Sequence, residues 1–367
     1  MGGIPHDIFG MTTRSVHRNV LGCLKKFDLQ EEKVTKLQTG GPDGDLGSNE
    51  ILISKDKTIA IVDGSGVIYD PHGLKRSALI QLAEKRDMVK EFDKADLSPE
   101  GFKVLLEDTN ITINGELYEN GRKFRDEFHL HPLSSADLFV PCGGRPGAIN
   151  LNNVNRLFNE DGSCRFKFIV EGANLFITQD ARQVLEKAGV VLIKDATANK
   201  GGVTSSSLEV LAALSMKEEE FSKHMMVEDV KNPTPFYANY VKEIQEIIER
   251  NADLEFECLW REHERTGIPR FLLTDLISDK INLLNDMINK SSLYENYELK
   301  CKILLAALPK TLVQTIGLTE IMRKVPDNYL RAIFSANLAA TYIYKYGIDA
   351  PEICFYEFMQ TYVPTNN

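Results

Sequence analysis

The stretch Val34-Thr-Lys-Leu-Gln-Thr-Gly40-Gly41-Pro-Asp-Gly44-Asp-Leu-Gly47 decides the predicted fold, because it leads a short apolar run directly into a glycine-rich turn. Glycines let the backbone turn tightly and bring its N–H groups close to a phosphate, and the N-terminus of a following helix adds partial positive charge. The composition of residues 48–53 favours such a helix. The spacing Gly41-x-x-Gly44-x-x-Gly47 departs from the usual G-x-G-x-x-G, so the turn alone leaves a plain loop as an open alternative.

The next apolar run, Thr58-Ile-Ala-Ile-Val-Asp63, ends in a carboxylate 23 residues after Gly40. At this offset an acidic side chain receives the ribose hydroxyls of a bound dinucleotide. The same carboxylate would repel a 2′-phosphate by about 4 kcal/mol at a separation of roughly 4 Å and an effective dielectric near 20. We therefore predict that Gly41, Gly44, Gly47 and Asp63 bind NAD rather than NADP.

Short runs rich in valine and isoleucine alternate with stretches of helical periodicity as far as residue 193, which is typical of parallel strands buried by helices. The runs end at residues suited to the ligand-binding carboxyl edge of a sheet: Gly40, Asp63, Pro141, Glu171 and Asp195. We predict a Rossmann-like, doubly wound α/β fold with a mostly parallel sheet over residues 31–215. An N-terminal helix (1–30) precedes this domain and an all-helical region (216–367) follows it. The dipeptide Asn114-Gly115 predicts a hairpin insertion at about 109–131.

The net charge of −10 disfavours nucleic acid and anionic membranes as partners, since both require a basic surface. The six cysteines form no CxxC pair and no zinc spacing, so we expect reduced thiols and assign no metal ligand. The sequence contains no run of 18 apolar residues, so it predicts no membrane span. We expect a cytoplasmic protein; a mitochondrial location stays open, because a late start would have removed such an address.

Five stretches of the chain occur in a characteristic order: Gly10-Met-Thr12-Thr-Arg-Ser-Val16, the glycine turn, Ile61-Val-Asp63-Gly-Ser-Gly-Val-Ile-Tyr69-Asp-Pro-His-Gly73, Asp137-Leu-Phe-Val-Pro-Cys142, and Val170-Glu-Gly-Ala-Asn174 with Asn199-Lys-Gly-Gly-Val-Thr204. Together they resemble the glutamate dehydrogenase family, in particular the C-terminal portion of the large NAD-specific enzymes of fungi and other lower eukaryotes. The resemblance covers residues 3–211. It implies oxidative deamination of L-glutamate to 2-oxoglutarate and ammonium, with NAD as coenzyme, in a homo-oligomer.

The resemblance also implies roles for four residues. Thr12 would lie near the nicotinamide, and Asn174 and Asn199 would contact its ribose and carboxamide. Ser206 would contact the side-chain carboxylate of the substrate. Without the resemblance, both asparagines would be interpreted first as turn or helix-cap residues.

Relatives carry their catalytic lysine, in a Gly-Gly-x-Lys-Gly segment, and a proton-transferring aspartate in an N-terminal substrate domain, which we expect to be absent from this chain. Lys200 does not correspond to that lysine, so no catalytic residue is assigned. Two functions remain open: the coenzyme-binding part of a longer glutamate dehydrogenase, or a non-catalytic NAD(H)-binding or protein-interaction module.

Overall fold

The computed structural model describes residues 3–362 and divides them into two compact units. Residues 7–201 and 269–271 form one unit, called here the α/β unit. Residues 3–6, 202–268 and 272–362 form the other, the helical unit. Within residues 3–362, every helix is too short or too polar to cross a lipid bilayer.

The α/β unit is built on a seven-stranded sheet with the order β4-β3-β2-β1-β7-β8-β9. The strands β2, β1, β7, β8 and β9 are mutually parallel, as predicted from their apolar runs. The nine strands of the described chain, including the two of a separate hairpin, are β1 (Thr35–Thr39), β2 (Lys57–Val62), β3 (Gly66–Tyr69), β4 (Phe102–Leu105), β5 (Thr109–Ile113), β6 (Glu116–Asn120), β7 (Ala136–Pro141), β8 (Phe166–Val170) and β9 (Val191–Ile193).

Two strands of the sheet, β3 and β4, were not predicted. They continue the sheet beyond β2 as an antiparallel pair. Each has only four residues, which is too short for a pattern to stand out in the sequence. Gly66 permits this pairing, because a Cβ atom there would lie 2.1 Å from the carbonyl oxygen of Val104.

A hairpin forms at the predicted Asn114-Gly115 turn and covers residues 109–120, whereas residues 121–127 of the predicted insertion form a helix instead. Strands β5 and β6 pair antiparallel around Asn114 and Gly115. Both turn residues have positive φ, 52° and 84°, as a two-residue turn of this hand requires.

The helix predicted within residues 1–30 is present as α2. The first eight helices of the described chain are α1 (His6–Phe9), α2 (Met11–Lys26), α3 (Asp45–Ile53), α4 (Arg76–Lys85), α5 (Gly121–Glu127), α6 (Gln179–Lys187), α7 (Asp195–Ala198) and α8 (Gly201–Ser215), of which α8 belongs to the helical unit from residue 202 onward. Successive residues of a strand point to opposite faces, so Val67 and Tyr69 join one apolar core and Ile68 joins another.

The C-terminal part of the chain is helical, as predicted. Its helices are α9 (Glu218–Met225), α10 (Pro235–Thr266), α11 (Arg270–Lys290), α12 (Tyr297–Ala307), α13 (Lys310–Ile316), α14 (Leu318–Lys324), α15 (Asp327–Tyr346) and α16 (Glu352–Gln360). Pro309, Pro326 and Pro351 are the N-cap residues of α13, α15 and α16. Proline suits helix starts because it lacks the N–H that would be unpaired there.

Candidate coenzyme-binding site

The strand order reverses at β1, because the chain passes from β1 to β2 on one side and places β7 on the other. The loops that follow β1 and β7 therefore diverge and leave a crevice at the carboxyl edge, where ligands of open α/β sheets bind. A cavity of about 590 Å³ lies there. It is lined by all four residues predicted to hold the adenosine and pyrophosphate: Gly41, Gly44, Gly47 and Asp63.

The three glycines of the turn differ in how much space is left for a side chain. A Cβ atom on Gly47 would lie 2.3 Å from the carbonyl oxygen of Gly41 and 2.5 Å from that of Gly40. One on Gly41 would lie 2.6 Å from Oδ2 of Asp63, whereas one on Gly44 would have its nearest neighbour 3.6 Å away. Glycine is therefore required by packing at positions 41 and 47, whereas a Cβ atom at position 44 would make only an ordinary van der Waals contact.

Helix α3 begins at Asp45, three residues before the start predicted from composition. Gly44 is its N-cap and makes no side-chain capping hydrogen bond. The N–H groups of a first helical turn have no partner within the helix. Together with the helix dipole they favour an anion at this position.

Two strand residues that the sequence did not single out hold the loops in place. The Nε2 group of Gln38 donates to the carbonyl oxygens of Gly40 and Gly47, at 2.9 and 3.1 Å. The hydroxyl of Thr39 donates to the carbonyl oxygen of Gly143 at 2.7 Å. A Cβ atom on Gly40 would lie 2.5 Å from the backbone nitrogen of Gly143, so the two loops touch through their main chains.

Asp63 is nearly buried at the end of β2, with 6% of its surface exposed. Its Oδ1 atom accepts hydrogen bonds from the N–H and hydroxyl of Ser65, both at 2.7 Å, and from the N–H of Gly66 at 3.2 Å. Its Oδ2 atom accepts one from the N–H of Val89 at 2.6 Å. A carboxylate oxygen has two lone pairs, so Oδ2 keeps one for a ribose hydroxyl.

A second carboxylate, Asp43, lines the same end of the cavity. Its Oδ1 atom and the Oδ2 atom of Asp63 each lie 2.6 Å from the position that a Cβ on Gly41 would take. Burial raises the pKa of Asp43, and the neighbouring charge of Asp63 raises it further. Asp43 does not cap α3, whose N-cap residue is Gly44.

The cavity is also lined by residues that sequence reasoning missed, because they come from the segment after the hairpin and the loop after β7. They are Arg125, Asp126, Glu127, His129, Arg145 and Arg156. Burial lowers the pKa of His129 to about 4, which keeps the ring neutral at pH 7. Burial also raises the pKa of Cys142 well above its usual value, so its thiol is not an activated nucleophile.

Asn174 and Asn199 lie side by side in the α/β unit, outside the residues that line the cavity. The Nδ2 group of Asn199 donates to Oδ1 of Asn174 at 2.6 Å and to the carbonyl oxygen of Gly172 at 3.0 Å. Gly172 joins this pair to the glycine turn, because a Cβ atom there would lie 2.4 Å from the Leu46 side chain. Gly172 therefore lies against the first turn of α3.

Thr12 lies on α2, half-buried, and its carbonyl oxygen accepts the hydroxyl of Ser15 at 3.0 Å. The same hydroxyl lies 2.7 Å from the carbonyl oxygen of Ala198 and 3.1 Å from the backbone nitrogen of Gly201, next to Asn199. Ser206 belongs to the helical unit, where it is an exposed residue of α8. Its contact with a substrate stays a prediction.

Comparison with known proteins identifies the family. The model of the glutamate/leucine/phenylalanine/valine dehydrogenases matches residues 2–267, which is more than half of the chain. The chain belongs to the glutamate/leucine/phenylalanine/valine dehydrogenase family. The family resemblance noted in the sequence is thereby confirmed.

Curated members of this dehydrogenase family match nearly the whole chain. Glutamate dehydrogenase 2 of Dictyostelium discoideum is 56% identical over 98% of this chain and 34% of its own length. The NAD-specific glutamate dehydrogenase of Neurospora crassa is 51% identical over 98% of this chain and 34% of its own. The chain therefore spans about a third of the length of these relatives. Among solved structures, the chain is similar to Plasmodium falciparum glutamate dehydrogenase, with 19% identity and a TM-score of 0.47 over 73% of this chain and 48% of that one.

Proposed function

We propose that this chain is the coenzyme-binding part of an NAD-dependent glutamate dehydrogenase, which converts L-glutamate to 2-oxoglutarate and ammonium. The observation that carries the proposal is the cavity at the carboxyl edge of β1 and β7, lined by the glycine turn and Asp63. The relatives named as NAD-specific glutamate dehydrogenases, 43 to 51% identical over 98% of the chain, support the choice of coenzyme and substrate.

The residues present fit NAD at both ends. The first turn of α3 offers N–H groups to the pyrophosphate, Gly44 leaves room for its close approach, and the free lone pair on Asp63 receives a ribose hydroxyl. Asn174 and Asn199 offer amide groups to the nicotinamide, and Thr12 lies on the neighbouring helix. When bound, NAD accepts the hydride that leaves the α-carbon of glutamate.

We also propose that the coenzyme domain extends over 31–215 and the helical region over 216–367, and that the protein is a cytoplasmic homo-oligomer. All six cysteines are free, which agrees with a reducing compartment. The homo-oligomer rests on the family resemblance. Light scattering of the purified protein measures it directly, and a monomeric mass would contradict it.

Titration calorimetry of this chain with NADH and NADPH tests the coenzyme assignment. We expect measurable heat with NADH and weaker binding of NADPH, because Asp63 and Asp43 place two carboxylates where a 2′-phosphate would lie. Assays of the protein purified from its source then separate the two functions that the sequence left open. A protein that binds NADH but oxidises no glutamate would support the non-catalytic module.

Replacing Asp63 with asparagine is expected to narrow the preference for NADH over NADPH by roughly a hundredfold to a thousandfold, because removing one of the two charges relieves a repulsion of up to about 4 kcal/mol with the 2′-phosphate. The measurement is the ratio of the two dissociation constants. Asp137→Asn is the matched control. Asp137 is exposed at the opposite end of the sheet, where it accepts hydrogen bonds from Thr35. An equal change of the ratio in both variants would contradict the role given to Asp63.

A further inference from the structure

A buried ion cluster in the α/β unit connects the two segments that carry Asn174 and Asn199. The guanidinium of Arg182, 1% exposed, donates from Nε and Nη2 to the two carboxylate oxygens of Glu171, at 2.7 and 2.8 Å. The same Nη2 group contacts Oδ1 of Asp195 at 3.2 Å. Such a bidentate pair fixes the orientation of both the guanidinium and the carboxylate. None of the roles proposed above for binding NAD uses this pair directly.

Asp195 reaches both asparagine-bearing segments. Its Oδ2 atom accepts a hydrogen bond from the N–H of Leu175, the residue after Asn174, at 2.7 Å. Its backbone carbonyl oxygen accepts one from the N–H of Asn199 at 3.0 Å. The carboxylate that Arg182 holds is therefore also the link between the two segments.

Leu175 has an unfavourable backbone conformation. Its φ is +58°, in the left-handed region that leucine rarely adopts, and its side chain is 61% exposed. Little burial offsets this strain. Hydrogen bonds hold both peptide groups of Leu175. The N–H of Leu175 donates to Asp195, and the carbonyl oxygen of Leu175 accepts from the N–H of Gly147 at 2.8 Å. Strain that the surroundings enforce is characteristic of functional sites.

The turn presents an amide pair with a defined hydrogen-bonding pattern. Oδ1 of Asn174 is occupied by the Nδ2 group of Asn199. The Nδ2 group of Asn174 and the Oδ1 atom of Asn199 remain as one donor and one acceptor. A carboxamide likewise carries one acceptor and one donor group, so the pair is complementary to it.

We propose that Arg182 and Asp195 are positioning residues, which hold Leu175 in its strained turn and thereby keep the Asn174–Asn199 pair ready for the carboxamide of a nicotinamide ring. The inference rests on the proposed NAD-binding function. It adds the residues that order the part of the site where the nicotinamide would bind. Neither Arg182 nor Asp195 contacts the ligand. They strengthen binding because the amide pair is ordered before the ligand arrives.

Asp195→Asn tests the proposal, because an amide has one oxygen and cannot accept hydrogen bonds from Leu175 and Arg182 at separate atoms. We expect the dissociation constant of NADH to rise about tenfold. ADP-ribose has the same adenosine and pyrophosphate but no nicotinamide. We expect its dissociation constant to change less than about twofold. Calorimetry on the full chain measures both. Arg182→Lys keeps the charge but loses the bidentate contact, and it provides the same comparison if Asp195→Asn does not fold.

A rescue variant separates positioning from general stability. Glycine adopts positive φ without strain, so adding Leu175→Gly to Asp195→Asn is expected to restore NADH binding to within about threefold of the original chain. Asp28→Gly is the matched control, because Asp28 also has positive φ, 53°, but lies just after α2, outside the cluster. It is expected to leave both dissociation constants unchanged and to rescue nothing.

The outcomes distinguish the inference from the function on which it rests. An unmodified chain that binds neither NADH nor ADP-ribose contradicts the proposed function itself. The positioning role alone is overturned if the unmodified chain binds both ligands and the folded Asp195→Asn and Arg182→Lys variants lose affinity for both equally. It is also overturned if these variants lose affinity for neither ligand.

Discussion

Replacing Lys36 with methionine is expected to lower the free energy of unfolding by about 4 kcal/mol. Lys36 lies in the central strand β1 and is fully buried. Its Nζ atom is 2.7 Å from Oδ2 of Asp56, 3.3 Å from Oε1 of Glu50 and 3.0 Å from the hydroxyl of Ser54. The variant leaves two buried carboxylates without their cation, which is far more costly than the loss of an exposed ion pair. Denaturant unfolding measures the change.

The pH dependence of stability gives an independent test of the same cluster. Burial pushes the pKa of Glu50 upward, but Lys36 and His17 more than offset it and lower the pKa from 4.5 to about 2. A group whose pKa is lower in the folded state stabilises it above the unfolded pKa and loses that effect as the pH falls through the folded pKa. Unfolding free energy is therefore expected to fall between about pH 4.5 and pH 2. Lys36→Met should flatten this dependence.

Lys85→Met is the matched control, since Lys85 is exposed in the last turn of α4. It is expected to change the free energy of unfolding by less than about 0.5 kcal/mol. The triple variant Lys36→Met, Glu50→Gln, Asp56→Asn should recover much of the loss, because no buried charge is left uncompensated. A loss below about 1 kcal/mol in Lys36→Met would argue against a strongly coupled cluster.

Replacing Gly47 with alanine is expected to cost about 3 kcal/mol of stability and to abolish detectable NADH binding. The added methyl group would meet two backbone carbonyl oxygens, at 2.3 and 2.5 Å. Neither can move aside as a flexible side chain would. Gln38 ties the carbonyl oxygens of Gly40 and Gly47 together. Helix α3 must therefore shift away from β1, and its first-turn N–H groups leave the cavity.

Gly44→Ala provides the comparison within the same turn. Gly44 has φ −82° and ψ 154°, which alanine adopts freely, and the nearest atom to an added Cβ lies 3.6 Å away. We expect its free energy of unfolding to stay within about 1 kcal/mol of the original. Similar losses in the two variants would show that the close contact at Gly47 is not what requires glycine.

The sequence was sufficient for features that depend on local composition. The valine- and isoleucine-rich runs predicted where all five parallel strands end to within two residues, and Asn114-Gly115 predicted the turn of the hairpin. The position of Asp63 at the end of β2 placed it beside the glycine turn. In each case the signal lies within one element or at a fixed distance from it.

Features that depend on distant partners could not be predicted. Lys36 lies in an apolar run, and only the folded chain brings Glu50 and Asp56 to it. Arg182 belongs to an amphipathic helix, where an arginine ordinarily faces solvent, yet here it is buried against Glu171. The antiparallel strands β3 and β4 are separated by more than thirty residues, so their pairing leaves no periodic pattern.

The main-chain contact between Gly40 and Gly143 limits how this cleft can be redesigned. Neither loop can be lengthened or exchanged for that of another enzyme without separating β1 from β7, since each forms the other's steric boundary. A change of coenzyme is therefore more readily obtained by altering charges at Asp43 and Asp63 than by transplanting loops. For the same reason, a displacement of either loop toward the other is blocked where Gly40 meets Gly143.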